Sequence, residues 1–531
     1  MTSTVDATTI PQLLRRNRLE HGPKEVIVTE DRAITHEELD AQSRAMAGRL
    51  VAAGVGKSAR VGILRPNGVD WAVIAMAASR VGAVLVPLST LLRPPELEAQ
   101  LQLAGVTHLV LARDFRGRDY VEDLEAIAPG IIATTAGAGR HERLSSLRYV
   151  WGVDDIPTAS VEPAVVDALE AAVRPADDLA VLFTSGSRGT PKGVIHTHGG
   201  GLRAVASGLA ARCVHADERL YVPMPFFWTG GFSGALLTVL VAGATLLTEA
   251  VPEPQRTLEL LERERATLFR GWPDQAARLA AHPRFASADL SSLRPGSLPG
   301  VLPSELRPAP GARANLFGMT ETFGPYCGSR LDVDLPPGKH GSCGRPFEGI
   351  EVRIVDAETG AASPAGETGE IRVRGPNVLR GILGRTGDAT FDADGFYPTG
   401  DLGSLDVDGY LWYCGRLDDM FKVKGATVYP EEVEAALRAV DGVRQAHVTN
   451  VVEDDGTNAV GAMVVSSARF EELVGAVRAQ LSAFKVPTWW VVAPTADDVP
   501  LTATAKVDKA RLQKMLRSMG RRAVEGRAET R

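Results

Sequence analysis

The densest run of phosphate-type donors in the chain is Thr184-Ser-Gly-Ser-Arg-Gly-Thr-Pro-Lys-Gly193. Gly186, Gly189 and Gly193 would let backbone N–H groups come close to oxygens, while Thr184, Ser185, Ser187, Thr190 and Lys192 add hydroxyls and a positive charge. Such a set suits a polyphosphate, although Gly/Ser/Thr clusters also mark ordinary surface turns. It is not a Walker loop. Pro191 precedes the lysine and Gly193 follows it, so no hydroxyl stands where that loop contacts its metal. A second group lies in Asn315-Leu-Phe-Gly-Met-Thr-Glu-Thr322. There Phe317 can stack on a purine, Thr320 can donate to a phosphate oxygen, and Glu321 can hold Mg²⁺ through its carboxylate.

The elements around these residues follow from periodicity. The apolar run Leu179–Phe183 before the loop and Val194–Ile195 after it predict a strand, loop, strand unit. Upstream, Glu25–Thr29, Val61–Leu64 and Ala83–Val86 read as strands. Thr35 with Glu38 forms a capping-box pattern opening a helix through Leu50, and Asp70–Arg80 reads as another helix. This alternation predicts an α/β fold with mainly parallel sheets covered by helices. His196 and His198 stand just before a helix and are expected to pack or cap. Residues 135–176 read as an irregular surface excursion. Pro225-Phe-Phe-Trp-Thr-Gly-Gly-Phe232 precedes an apolar helix, and Phe226, Phe227, Trp228, Phe232, Trp272 and Tyr326 are candidates to line an apolar pocket.

Beyond Gly415-Arg-Leu-Asp-Asp-Met-Phe-Lys-Val-Lys-Gly425 the pattern changes. Pro430 and acidic residues open a helix with an apolar stripe of Val433, Leu437 and Val440. Strands at 446–452, 459–465 and 488–492 and helices at 470–481 and 507–516 predict a small α+β unit of 418–531 after a large unit of 1–417. The basic tail from Arg517 to Arg531 reads as disordered.

With 531 residues, 44% of them hydrophobic, the chain is long enough for about three or four structural units. The net charge of −7 gives no basic footprint for nucleic acid, so anionic ligands must be held by local donors. The 4 cysteines have neither paired spacing nor a CxxC, which argues against a disulfide framework or a zinc site and predicts a reducing cytoplasm. No apolar signal core opens the sequence, and the stretch from Val81 to Leu92 is too short to span a bilayer.

The 184–193 loop resembles, nearly residue for residue, the signature of the adenylate-forming superfamily of acyl-CoA synthetases, aryl-CoA ligases, luciferases and peptide-synthetase adenylation domains. The resemblance covers most of the chain and extends to four further motifs in the family's order. It implies that Thr320, Glu321 and Lys506 are catalytic, with Glu321 on Mg²⁺. Gly296, Ser297, Phe317, Asp401 and Arg416 would bind the nucleotide, the aspartate accepting from the ribose hydroxyls. Phe227, Trp228, Gly231 and Tyr326 would border the acid, Asp418 would be the hinge, and Lys424 and Gly425 would serve the thioester step. Taken alone, Lys506 would be a solvated charge; only the resemblance makes it the adenylation lysine. The chain departs from the family at three points: Phe317 stands for the usual tyrosine, Trp228 for a common histidine, and Ala505 for the glycine before the lysine.

The implied reaction joins a hydrophobic carboxylic acid to ATP, giving acyl-AMP and pyrophosphate, and then passes the acyl group to CoA. Rotation about Asp418 would withdraw Lys506 and present Gly425 for the second step. An amine or a carrier-protein thiol is the alternative acceptor, and a silent nucleotide- or acid-binding protein the remote one.

Overall fold

A computed structural model describes residues 7–136, 139–185, 191–423, 426–454, 457–502 and 506–522. By internal contacts the chain divides into two units. The first comprises Met1–Val352, Val373–Tyr397 and Gly409–Leu411, and the second comprises Arg353–Arg372, Pro398–Asp408 and Trp412–Arg531.

The first unit contains a seven-stranded sheet. Strands Asp178–Ser185, Val84–Pro87, Arg60–Leu64, His108–Leu111 and Tyr149–Trp151 run parallel in that order. Pro191–Thr197 and then Gly381–Ile382 add antiparallel strands on the other edge. Val84–Pro87 is buried along its whole length, as strands covered on both faces are. A five-stranded sheet places Leu268–Phe269, Arg219–Tyr221, Thr245–Leu247 and Glu25–Val28 parallel, with Ala33–Thr35 antiparallel at the edge. The α/β expectation with mainly parallel sheets is therefore met.

Helix His36–Ala52 starts at the predicted capping box: Thr35 Oγ1 accepts from Glu38 N at 3.2 Å, and Thr35 N donates to Glu38 Oε2 at 2.9 Å. Helix Val69–Arg80 is apolar almost all round and is buried at every position but Asp70. Its Trp71 meets Phe226 and Phe232 edge-on, with centroids 5.3 and 5.7 Å away. Phe226 and Phe232 are thus core residues and not the pocket lining their segment suggested. Each such aromatic removes roughly 150–250 Å² from water, so they anchor the core instead of facing a ligand.

The 135–176 segment is more ordered than its composition suggested. Tyr149–Trp151 is the edge strand of the seven-stranded sheet, and helix Pro163–Ala172 directs Glu170 to the buried Arg80. That pair, joined by Asp40, closes helices 36–52, 69–80 and 163–172 together.

In the second unit, strands Val443–Val452, Asn458–Ser466, Trp489–Ala493 and Arg521–Arg522 form a mixed sheet. Helices Pro430–Arg438, Phe470–Gln480 and Lys509–Met519 accompany it, as the expected small α+β unit requires. The first part of the segment expected to be a disordered tail is ordered: Arg517–Met519 end a helix, and Arg521–Arg522 pair with Trp489–Trp490, while 523–531 lie outside the described residues. All four cysteines are free. Among the described residues no helix is long and apolar enough to cross a membrane.

Candidate active site

The two strands around the phosphate loop pair in register, Lys192 opposite Thr184 and Pro191 opposite Ser185. Gly186, Ser187, Gly189 and Thr190 lie outside the described residues, as do Lys424 and Gly425. Gly193 packs closely, since a Cβ there would stand 2.7 Å from Leu383 Cδ1 and make that side chain shift.

Lys192 projects from its strand to a compact polar group. Its Nζ donates to Glu321 Oε1 at 2.5 Å and to the Tyr397 hydroxyl at 2.6 Å, and Tyr397 donates to the same carboxylate oxygen at 3.2 Å. Glu321 is buried. A buried carboxylate needs such a counter-charge, so the lysine and glutamate hold each other in place.

Thr320 adjoins this group. Its Oγ1 accepts from Thr229 Oγ1 at 3.2 Å, and its carbonyl oxygen lies 2.7 Å from His196 Nε2. His196 also packs on Phe323 at 4.6 Å, and burial lowers its pKa to about 4. It is therefore a neutral donor that fixes the backbone of the Thr320–Glu321 turn. His198 is buried too and takes a hydrogen bond from Ile10 N at 3.3 Å. Both histidines pack and orient, as expected.

Trp228 is half-buried and meets Phe227 edge-on at 5.4 Å. Gly231 is obligatory: a Cβ there would come within 2.0 Å of Pro225 O. Phe317 and Tyr326 meet at 5.5 Å, with the Tyr326 ring fully buried. Trp272, by contrast, is 57% exposed. Gly296 adopts φ +99°, a left-handed conformation that favours glycine, and Ser297 Oγ accepts from Phe269 N at 3.1 Å. The Ser297 hydroxyl thus locks its segment to the sheet.

In the second unit Arg416 Nη1 donates to Asp401 Oδ1 at 2.8 Å and to Thr399 O at 3.1 Å. The nearby Tyr413 phenol is pushed up by burial and by the Asp401 charge. Asp418 sits exposed in the short turn Leu417–Asp419. Lys506 is exposed next to the Leu501–Val507 bridge, with Thr502 N donating to Lys506 O at 2.7 Å. Lys509, three residues on, pairs with Asp419 at 2.6 Å. Arg416, Asp419, Val507 and Lys509 line a cavity of about 190 Å³.

Sequence reasoning missed Tyr397, His196 as the support of Thr320, and Thr229. The only signal for Tyr397 was its place in Asp394-Gly-Phe-Tyr-Pro-Thr-Gly-Asp401, the run that ends in the aspartate implied to bind the ribose.

In the first unit a lysine, a buried carboxylate and a threonine hydroxyl gather on a parallel α/β scaffold, and in the second an arginine pairs with an aspartate. The comparisons give the class of protein that carries them. The AMP-binding enzyme family matches residues 14–383, and the AMP-binding enzyme C-terminal domain matches 432–506. The chain belongs to this family. It is 34% identical to the 3-[(3aS,4S,7aS)-7a-methyl-1,5-dioxo-octahydro-1H-inden-4-yl]propanoyl:CoA ligase of Mycobacterium tuberculosis, over 96% of this chain and 99% of that protein. It is 32% identical to a feruloyl-CoA synthase of Amycolatopsis, over 91% and 94%. The ATP-bound crystal structure of MatB from Rhodopseudomonas palustris superposes with a TM-score of 0.75 at 26% identity, over 96% of this chain and 99% of that one. The protein is an AMP-forming acid–thiol ligase that makes acyl-CoA from a carboxylic acid, ATP and CoA.

Proposed function

We propose that the acid has a compact apolar body, cyclic or aromatic, and that it is activated as acyl-AMP before transfer to CoA. The observation that carries this is the Lys192–Glu321–Tyr397 cluster beside Thr320. Adenylation requires one anion, the carboxylate, to attack another, the α-phosphate, so fixed positive charge and alignment must supply the catalysis. Lys192 and the 184–190 loop hold the phosphates that leave as pyrophosphate. Thr320 donates to a phosphate oxygen, Phe317 and the Gly296–Ser297 segment flank the adenine, Asp401 accepts from the ribose hydroxyls, and Arg416 donates to the ribose.

Glu321 fits Mg²⁺ as one hard carboxylate donor working with phosphate oxygens, and the ion would neutralise phosphate charge. On that account Lys192 is the resident counter-ion of Glu321 and turns to the phosphates when the nucleotide enters. Lys506 bridges the acid carboxylate and the α-phosphate in the first step only. Residues 418–531 carry it as a mobile part hinged at Asp418, and Lys424 and Gly425 serve the thiol step.

Trp228 and Phe227 favour an apolar body over acetate or a charged acid. The acids in the names of the two bacterial relatives, a bicyclic propanoate and ferulate, have bodies of that kind. The cytoplasm is the proposed location. AMP release measured with ATP and Mg²⁺ across aliphatic, cyclic and aromatic acids, with CoA or a simple amine as acceptor, tests all of this. Acyl-CoA from cyclic or aromatic acids is expected. Activity restricted to acetate, or amide in place of thioester, contradicts it.

A further inference from the structure

Thr320 belongs to a turn of the first unit whose backbone is held on several sides. Its carbonyl oxygen accepts from His196 Nε2 at 2.7 Å and from Phe323 N at 3.0 Å. Glu321 O accepts from Leu379 N at 2.7 Å, and Thr322 Oγ1 donates to Gly324 O at 2.7 Å. None of these bonds reaches the Thr320 side chain. Among the described residues its hydroxyl has one hydrogen-bond partner, Thr229 Oγ1, which donates to it at 3.2 Å.

That bond decides where the hydrogens go. A threonine hydroxyl carries one hydrogen and two acceptor positions. Thr229 spends its hydrogen on Thr320, so Thr320 keeps its own for another acceptor, and a hydroxyl that accepts one bond donates the next more strongly. Both residues are half-buried, unlike the enclosed Glu321 beside them, so the Thr320 hydrogen is open to a ligand.

Holding its own segment would be a sufficient role for Thr229, yet other groups already do that. Asn67 Oδ1 accepts from Phe226 N at 2.7 Å, and Asn67 Nδ2 donates to Met224 O at 2.9 Å. Trp228 N donates to Pro225 O at 3.1 Å, and Phe232 N donates to Trp228 O at 2.8 Å. Among the described residues the only hydrogen bond of the Thr229 hydroxyl is the one to Thr320.

We propose that Thr229 is a positioning residue for adenylation: it sets the Thr320 hydroxyl with its hydrogen turned towards a phosphate oxygen of ATP. The inference rests on the function proposed above, in which Thr320 makes that contact. Thr229 directly follows Trp228, so the segment proposed to wall the acid also orients the phosphate donor.

The test reads acid-dependent exchange of pyrophosphate into ATP, with 3-cyclohexylpropanoate and with ferulate, in Thr229→Val, Thr229→Ser, Thr320→Val and the double valine variant. Thr229→Val keeps the shape and loses the hydroxyl. It should lower kcat for exchange by about threefold to tenfold, the scale of one neutral hydrogen bond, with the KM for the acid unchanged. Thr229→Ser should retain most of the rate. In the Thr320→Val background the second valine should cost nothing further, because Thr229 acts only through that hydroxyl. Full additivity, a raised KM with kcat intact, or a serine variant as slow as the valine one would overturn the assignment. If Thr320→Val is too slow for the cycle, the valine and serine variants decide; if Thr229→Val does not fold, Thr229→Ala takes its place. Failure of the proposed function reads differently: no exchange by the wild type with either acid, or Thr320→Val at the wild-type rate, removes the ground on which the inference stands.

Discussion

Lys192, Glu321 and Tyr397 form one charge-assisted network, so their substitutions should not act independently. Tyr397→Phe removes one hydrogen bond to a charged amine, about 1.5–3 kcal/mol, and should lower kcat/KM for ATP by roughly tenfold to a hundredfold while leaving the fold intact. An unchanged value would mean that the hydroxyl does not hold the lysine. That Thr320, Glu321 and Lys192 belong to one candidate site was legible because each stands in a run whose residue types already suit phosphate. Tyr397 was not, because its contacts reach 205 and 76 residues along the chain and no local pattern announces them. Phe226 and Phe232 stayed among the pocket candidates because an aromatic cluster at a helix entrance looks the same whether it faces a ligand or Trp71.

Among the elements, helices 36–52, 69–80 and 163–172 depend on one buried arginine. Arg80 and Glu170 have side chains only 2% and 3% exposed. Removing Glu170 takes the more buried of its two carboxylate partners from Arg80 and leaves Asp40 as the remaining one, so Glu170→Ala should destabilise the protein by about 1–3 kcal/mol. Replacing both by apolar residues, as in Arg80→Met with Glu170→Leu, should cost much less. Thermal or urea unfolding compares the two, and equal losses would count against a pairing role. The helices with clear caps and one apolar face were predicted closely, including the box at Thr35 and the start at Pro430. The strand Tyr149–Trp151 escaped because three residues carry too little period-two signal, and helix 163–172 because its region is rich in alanine and acidic residues.

For the molecule as a whole, four histidines are held neutral by burial. The pKa falls to about 3 for His36 and to about 4 for His108, His196 and His198. Unfolding restores each towards 6.5, so between pH 6.5 and about 4 the unfolded chain binds more protons and stability rises with pH. The contribution is fully present above pH 6.5 and is lost as pH falls, at about 2 kcal/mol per histidine by pH 5. Urea midpoints at pH 7.5 and pH 5 should therefore drop markedly towards acid, and a midpoint independent of pH would contradict these burials.

On the function proposed above, the two-step chemistry rests on Lys506 acting in one half-reaction. The decisive measurement separates the halves in Lys506→Ala: acid-dependent exchange of pyrophosphate into ATP for the first, and CoA capture of a supplied acyl-adenylate for the second. The exchange should fall by at least about a hundredfold, the scale of one lost charge-stabilising group, while capture stays near the wild-type rate. Equal loss in both halves, or exchange that survives, would contradict the account.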